Sequence, residues 1–346
     1  MNDLELSRQT SETTGAKIPS PLEQLLEAKA LPSIEVATPI GSMQVFLAGP
    51  DELISRPIPN SSEWINALEL LEEFTTNGIV ADYLHQYGLD KGPTNSGNFD
   101  TVDSLKDKLH SSDVRPGRFV LTNYLVNAHN QLFMAYADVR YEQHQADGSW
   151  QMVERKVHFR PDSATTLVEI ISESGNRYIM LNIAWKEGLG GVNYGEASAG
   201  SKDRGPEDAK KLALDEVNQE IGLTDEEIFR ATVREVFINK TVSPGGYSER
   251  MSGYHLTLTL SDERIQQLLS QIHGVDANER IVNQLIAIEL PEEPEILTTE
   301  YLSEFALAWE KVLAQTEDLK TYTLILKMCK DELFNISNRL AAKNVR

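Results

Sequence analysis

The chain contains one cysteine, Cys329, among 346 residues. That excludes an intramolecular disulfide and fits a reducing compartment, so a cytoplasmic protein is expected. Basic residues are scarce beside acidic ones: 32 Lys and Arg against 53 Asp and Glu give a formal charge of −21. A surface of that sign repels phosphate backbones, which argues against a nucleic-acid polymer as partner. No apolar run reaches the roughly 18 residues that a membrane-spanning helix needs, so no membrane partner is expected. Met1 to Lys17 is polar, with no basic region leading into an apolar one, and a secretory signal is not expected. Also missing are H-E-x-x-H, a cysteine pair, G-x-S-x-G and a phosphate loop ending in Gly-Lys-Ser or Gly-Lys-Thr. Zinc-protease, serine-hydrolase and kinase chemistry therefore lack their motifs.

With 40% hydrophobic and 25% charged residues, the composition is that of a soluble globular protein. The length favours two domains or one domain with a large extension. Residues 1–20 are rich in Ser, Thr and Glu and read as a flexible tail. Residues 21–112 form an extension to which the sequence gives no role. Within it, Met43 to Leu47 reads as a strand closed by Ala48-Gly49-Pro50, and Ser61-Ser62-Glu63 caps a helix running towards Leu84. Pro116-Gly117 marks a boundary, after which β-type segments follow in series: Arg118 to Val126, Leu132 to Glu142, Gln151 to Phe159, Thr165 to Ile171 and Tyr178 to Ile183. A helix from Pro206 to Ile221, further strands through Leu260 and two helices between Thr298 and Leu340 complete a mixed α/β domain over residues 113–340.

The chemistry lies in Glu196 to Leu223, EASAGSKDRGPEDAKKLALDEVNQEIGL. Gly205-Pro206 suits a helix start and Gly222 a stop. Between them Glu216 and Glu220 stand four apart, which puts two carboxylates on one helix face. Like charges so placed repel unless a cation lies between them. Glu207, nine residues before Glu216, falls on a related face. Hard oxygen ligands, few and exposed, suit Mg²⁺ shared with a phosphate-bearing substrate. The alternative is a solvated face of an acidic protein.

This stretch resembles the Nudix box, G-x5-E-x7-R-E-U-x-E-E-x-G-U with U aliphatic, at Glu207, Glu216, Val217, Glu220, Gly222 and Leu223. Ser201 stands at the box glycine, with Gly200 one place early; Asp215 replaces the arginine and Gln219 the first glutamate of the pair. Four further segments occur in the order of the ADP-ribose and GDP-mannose pyrophosphatase branch. They are Glu196 with Ala199-Gly200, then Ser243-Pro244-Gly245-Gly246 with Glu249, then Asp276 to Ile281, and finally Asp318-Leu319-Lys320-Thr321.

The resemblance implies a Nudix α/β/α sandwich with a mixed sheet, preceded by an antiparallel strand region. It implies hydrolysis of a nucleoside diphosphate sugar, ADP-ribose first, to a nucleoside monophosphate and a sugar phosphate, with Mg²⁺ or Mn²⁺ as cofactor. Glu216, Glu220 and the Ala199 carbonyl would hold the metal, Glu279 would contact metal or act as base, and Glu207 would orient the others. Ser243, Gly245, Gly246, Glu249 and Lys320 would contact substrate. A homodimer paired through N-terminal strands is also implied. The arginine usual in the strand before the glycine-rich stretch is missing, since that segment reads Asn182-Ile183-Ala184-Trp185-Lys186. With Asp215 and Gln219, this opens an alternative: a Nudix-fold nucleotide-binding or regulatory module without turnover. His255, in an apolar strand, reads as a core or sheet-edge group.

Overall fold

The computed structural model describes residues 31–48, 62–87, 114–126, 132–145, 147–186, 191–201, 208–241, 247–274 and 280–343. The chain divides into two compact units, one of Met1–Asn77, Leu84–Tyr124 and Ala137–Arg155, the other of Gly78–Tyr83, Leu125–Tyr136 and Lys156–Arg346. The tail and the loop at Gly92 to Asn98 lie outside the described residues.

Five strands form a first sheet in chain order: β1 (Ser33–Thr38), β2 (Gly41–Leu47), β3 (Val114–Val126), β4 (Leu132–His144) and β5 (Trp150–Phe159). β1 pairs antiparallel with β2, and β2 runs parallel to β3 with Gln44 opposite Arg118. In the first unit α1 (Ser62–Thr76) covers β1 and β2, burying Leu71 and Phe74. The single helix expected towards Leu84 is two. Asn77 is extended and Gly78 has φ +78°, so the chain breaks helical geometry before α2 (Gly78–Gln86).

The second unit contains a mixed eight-stranded sheet. Its order is β10 (Thr232–Thr241), β11 (Arg250–Leu260), β6 (Ser163–Ser172), β7 (Arg177–Lys186), β13 (Ile281–Ala287) and β12 (Ile272–His273). β8 (Val192–Glu196) adds to β7, and β9 (Ser198–Ser201) adds to β6. β11 and β6 are parallel; the other neighbours are antiparallel.

Helices cover both faces of this sheet, and the period of two along the strands explains how. Leu167, Ile179 and Leu181 pack with Phe305 and Trp309 of α6 (Thr299–Leu313) and Ile325 of α7 (Leu319–Lys343). The alternate residues Val168, Ile170 and Met180 pack with Val217, Ile221 and Leu223, and with Ile265 and Leu268 of α5 (Asp262–Ser270). A strand buried on both faces carries few exposed positions, and β6 is buried at every residue but Ile171. Each large apolar side chain buried in these two cores contributes about 1.5–3 kcal/mol. The architecture is thus α/β with mixed sheets.

Between β9 and β10 the expected helix takes an unexpected form. It begins one turn later than the sequence indicated, as α3 (Ala209–Glu216), with Asp208 accepting the Lys210 N–H at 2.9 Å. It then widens into a π-helical turn, Val217–Ile221, and ends at Gly222 with φ +82°. α4 (Asp225–Arg230) follows, opened by a capping box between Thr224 and Glu227.

Candidate functional site

The site forms where β9 meets the end of α3. Ala199 and Gly200 of β9 pair with Thr165 and Ala164 of β6. The Glu220 carboxylate, on the π-turn, accepts the Ala199 N–H at 3.1 Å and the Asn182 side-chain amide at 2.8 Å, both on Oε2. Glu216, at the end of α3, presses against the neighbouring residue: a Cβ added to Gly200 would overlap its carboxyl group. Both glutamates therefore face the same two residues of β9, although an α-to-π transition separates them.

Burial pushes the Glu220 carboxyl up to about 7, and the nearby Glu196 charge adds to that; Ser198, the Ala199 N–H and Lys186 oppose it. The buried Ser198 hydroxyl lies beside this carboxylate and favours its charged form. A half-buried carboxylate with a second carboxylate and a serine hydroxyl close by is an oxygen-rich place.

Cations approach from β7 and α7. Lys186 forms an ion pair with Glu196, and Lys320 lies 4.0 Å from the other oxygen of the same carboxylate. The start of α7 is tied to the link between β8 and β9. Asp318 accepts the Thr321 N–H at 2.8 Å and the Thr321 hydroxyl at 2.7 Å, while that hydroxyl accepts the Ala197 N–H at 2.7 Å. Glu249, immediately before β11, accepts from Ser163 at the start of β6 at 2.6 Å, with Arg160 at 3.9 Å. Ser163 stands opposite Ser201, two residues beyond Ala199.

Of the residues singled out in the sequence, Ala199, Glu216 and Glu220 come together. Lys320 is at their edge through Glu196, and Glu249 is anchored to Ser163 of β6, opposite the far end of β9. Glu207, Ser243, Gly245, Gly246 and Glu279 lie outside the described residues. Among the described residues, no three His, Cys, Asp or Glu side chains converge as a metal cage. Asp215 and Gln219 are exposed. The residues that sequence reading missed are Asn182, Ser198 and Asn283. For the two asparagines the signal was a small polar residue at an inward position of a largely apolar strand. His255 is a buried core group, its Nε2 3.1 Å from Glu169.

A cleft of about 500 Å³ opens at the other end of α3, between Asp208, Lys210, Glu235, Asn239, Ser252 and Tyr254. Neither Glu216 nor Glu220 lines it. No described helix is long and apolar enough to cross a membrane.

No protein-family model and no curated protein matches the chain. Among solved structures, a Nudix hydrolase from M. smegmatis, RenU, is similar at 12% identity and a TM-score of 0.32. An ADP compounds hydrolase is similar at 15% identity and a TM-score of 0.29. Each likeness covers 56% of this chain and 94% of the other. Likenesses of that size carry no argument about fold or chemistry, which rest on the residues themselves.

Proposed function

We propose that the chain hydrolyses the pyrophosphate bond of a nucleoside diphosphate sugar, with ADP-ribose the leading substrate, in a reaction that needs Mg²⁺ or Mn²⁺. The observation that carries this reading is the placement of Glu216 and Glu220 against Ala199-Gly200. That placement makes a spatial group of residues which the box-like motif joins only by spacing. The donor set fits a hard divalent cation, since it consists of carboxylate oxygens and a backbone carbonyl. A cation would also relieve the cost of the Glu220 charge in its half-buried position. Glu216, Glu220 and the Ala199 carbonyl would hold it. When bound, it supplies neutralisation of phosphate charge and a water of lowered pKa.

The other groups act on the substrate. Lys186 and Lys320 bring two ammonium groups to the Glu196 carboxylate, at the edge of an acidic site in a chain of charge −21. These two cations would meet a diphosphate there. Water adds to one phosphorus, the bond from that phosphorus to the bridging oxygen breaks, and the two products leave as a nucleoside monophosphate and a sugar phosphate. Pairing into a homodimer and a cytoplasmic location belong to the same proposal.

A second reading, a nucleotide-binding or regulatory module, draws on Asp215 and Gln219. Asp215 adds negative charge beside Glu216 where the box has arginine, and Gln219 removes one carboxylate. The test is monophosphate release from ADP-ribose, GDP-mannose, UDP-glucose and NADH with Mg²⁺ or Mn²⁺, beside Glu216→Gln and Glu220→Gln. Metal-dependent turnover lost in both variants supports the hydrolase. Metal-dependent nucleotide binding without turnover replaces it with the binding module.

A further inference from the structure

Asn182 on β7 and Asn283 on β13 stand directly opposite each other in the antiparallel ladder. Both are buried in strands that are otherwise largely apolar. Each points its amide nitrogen at the same piece of chain. The Asn182 amide donates to the Glu220 carboxylate at 2.8 Å, and the Asn283 amide donates to the Ile221 carbonyl at 2.9 Å. Asn283 also donates to the Leu268 carbonyl at 3.1 Å, near the end of α5. Two successive residues of the π-turn are thus held by two opposed asparagines. Neither amide oxygen has a partner among the described residues. Burying two carbonyl oxygens unsatisfied is a cost that an apolar pair would avoid, so packing alone does not account for these residues.

The π-turn needs such holding. A π-turn is a local widening of a helix, and the carbonyls at a helix end have no partner within it. Ile221 carries such a carbonyl. The neighbouring Gly222 contributes a turn bond to Asn218 and accepts from Arg264 at 2.8 Å. Asn283 supplies the donor that joins the turn to the sheet.

We infer that Asn283 is a positioning residue: with Asn182 it fixes the π-turn so that the Glu220 carboxylate meets the Ala199 N–H. The inference rests on Glu220 belonging to the functional site. Without the Asn283 amide the Ile221 carbonyl loses its partner, the turn relaxes, and Glu220, one residue earlier, leaves Ala199.

The Ala199 amide proton reports this directly, because it donates to a carboxylate. Its chemical shift is measured by NMR on the full chain without metal in wild type, Asn283→Leu and Glu220→Ala. Mn²⁺ affinity of the wild type and Asn283→Leu is measured by calorimetry. Leucine keeps the volume and removes the donor; Asn283→Thr, which suits a strand and is too short to reach both carbonyls, replaces it if the first variant does not fold. The Ala199 signal is expected to move towards its Glu220→Ala position, and the Mn²⁺ Kd to rise about tenfold, as when an outer partner of a metal ligand is lost. A lowered melting temperature alone does not support the inference. An unmoved Ala199 signal in the folded variant overturns it, as does unchanged Mn²⁺ affinity. If the wild type binds no Mn²⁺, the metal-dependent hydrolase fails separately, and the Ala199 shift still decides the role of Asn283.

Discussion

The hydroxyl of Thr321 accepts the Ala197 N–H at 2.7 Å, joining the start of the last helix to the strand two residues before Ala199. Thr316 adds a second tie, donating to the Gly195 carbonyl at 2.9 Å. The backbone that faces Glu216 and Glu220 is therefore set from α7, whose own place is fixed by Leu324, Ile325 and Met328 in the core beneath. In this way the packing of the last helix governs the geometry of a site it meets only through Lys320.

Thr321→Val keeps the shape of the side chain and removes both bonds. It leaves the Ala197 N–H and the Asp318 carboxylate short of a partner in a buried place. The expected loss is about 1–3 kcal/mol of unfolding free energy by urea denaturation. Thr321→Ser, which retains the hydroxyl, recovers most of it. A loss in Thr321→Ser with none in Thr321→Val would mean that the methyl group, not the hydrogen bonds, matters there.

Gly200→Ala tests the approach of Glu216 to β9. The new methyl group would occupy the space of the Glu216 carboxyl. Because that carboxyl ends a flexible side chain, it turns aside, and stability is expected to stay within about 1 kcal/mol of wild type. Mn²⁺ affinity and turnover should fall by about tenfold, equivalent to ~1.4 kcal/mol. Unchanged Mn²⁺ binding by calorimetry would remove Glu216 from the ligand set.

β2 to β7 and the two final helices were legible because their apolar period is simple and their ends carry Gly, Asn, Asp or Thr, whereas α5, β12 and β13 were not expected between Leu260 and Thr298. Thr298 caps α6, accepting the Tyr301 N–H at 3.1 Å. β1 was missed: Ser33–Thr38 is a short edge strand with little buried surface, so no strong pattern marks it. The spacing of Glu216 and Glu220 pointed to one helix face, but a π-turn has no signature in residue types. Nor could spacing reveal that Asn182 and Asn283 meet across a sheet, since their partnership depends on strand order. Glu196 and Lys186, by contrast, were visible as residues but not as a pair, because the β7–β8 register brings them together.

Gly222→Ala is expected to destabilise the end of the π-turn for two separable reasons. The residue has φ +82°, which a side chain disfavours, and its Cβ would overlap the His273 ring. The strain of a positive φ costs about 1–2 kcal/mol. The ring overlap adds to it in Gly222→Ala and is relieved in a double variant with His273→Ala. A thermodynamic cycle over the four proteins by urea denaturation separates the contributions. Full recovery in the double variant would show that backbone conformation contributes nothing there.

The last expectation concerns acid. Arg264 donates to both oxygens of Glu227, at 2.7 and 2.8 Å, and the Thr224 N–H adds a bond at 2.8 Å. Led by the Arg264 hydrogen bonds, these hold the Glu227 carboxyl at about 2, below its ordinary 4.5. A carboxyl whose pKa falls on folding stabilises the fold fully above the unfolded value, and that stabilisation disappears as pH falls towards the folded one. The window is therefore between 4.5 and about 2. Arg264→Gln should cost about 1–2 kcal/mol at neutral pH, after allowance for solvent screening of a partly exposed pair. Unfolding free energies of wild type and variant, measured from pH 7 downward, should keep a constant gap above roughly pH 5 and draw together below it. They should not meet fully, because Arg264 also donates to the Gly222 carbonyl at 2.8 Å, a bond that Glu227 does not control. A gap that stays constant through the acid range would mean that Arg264 acts through this carbonyl and its packing, and not through the charge of Glu227.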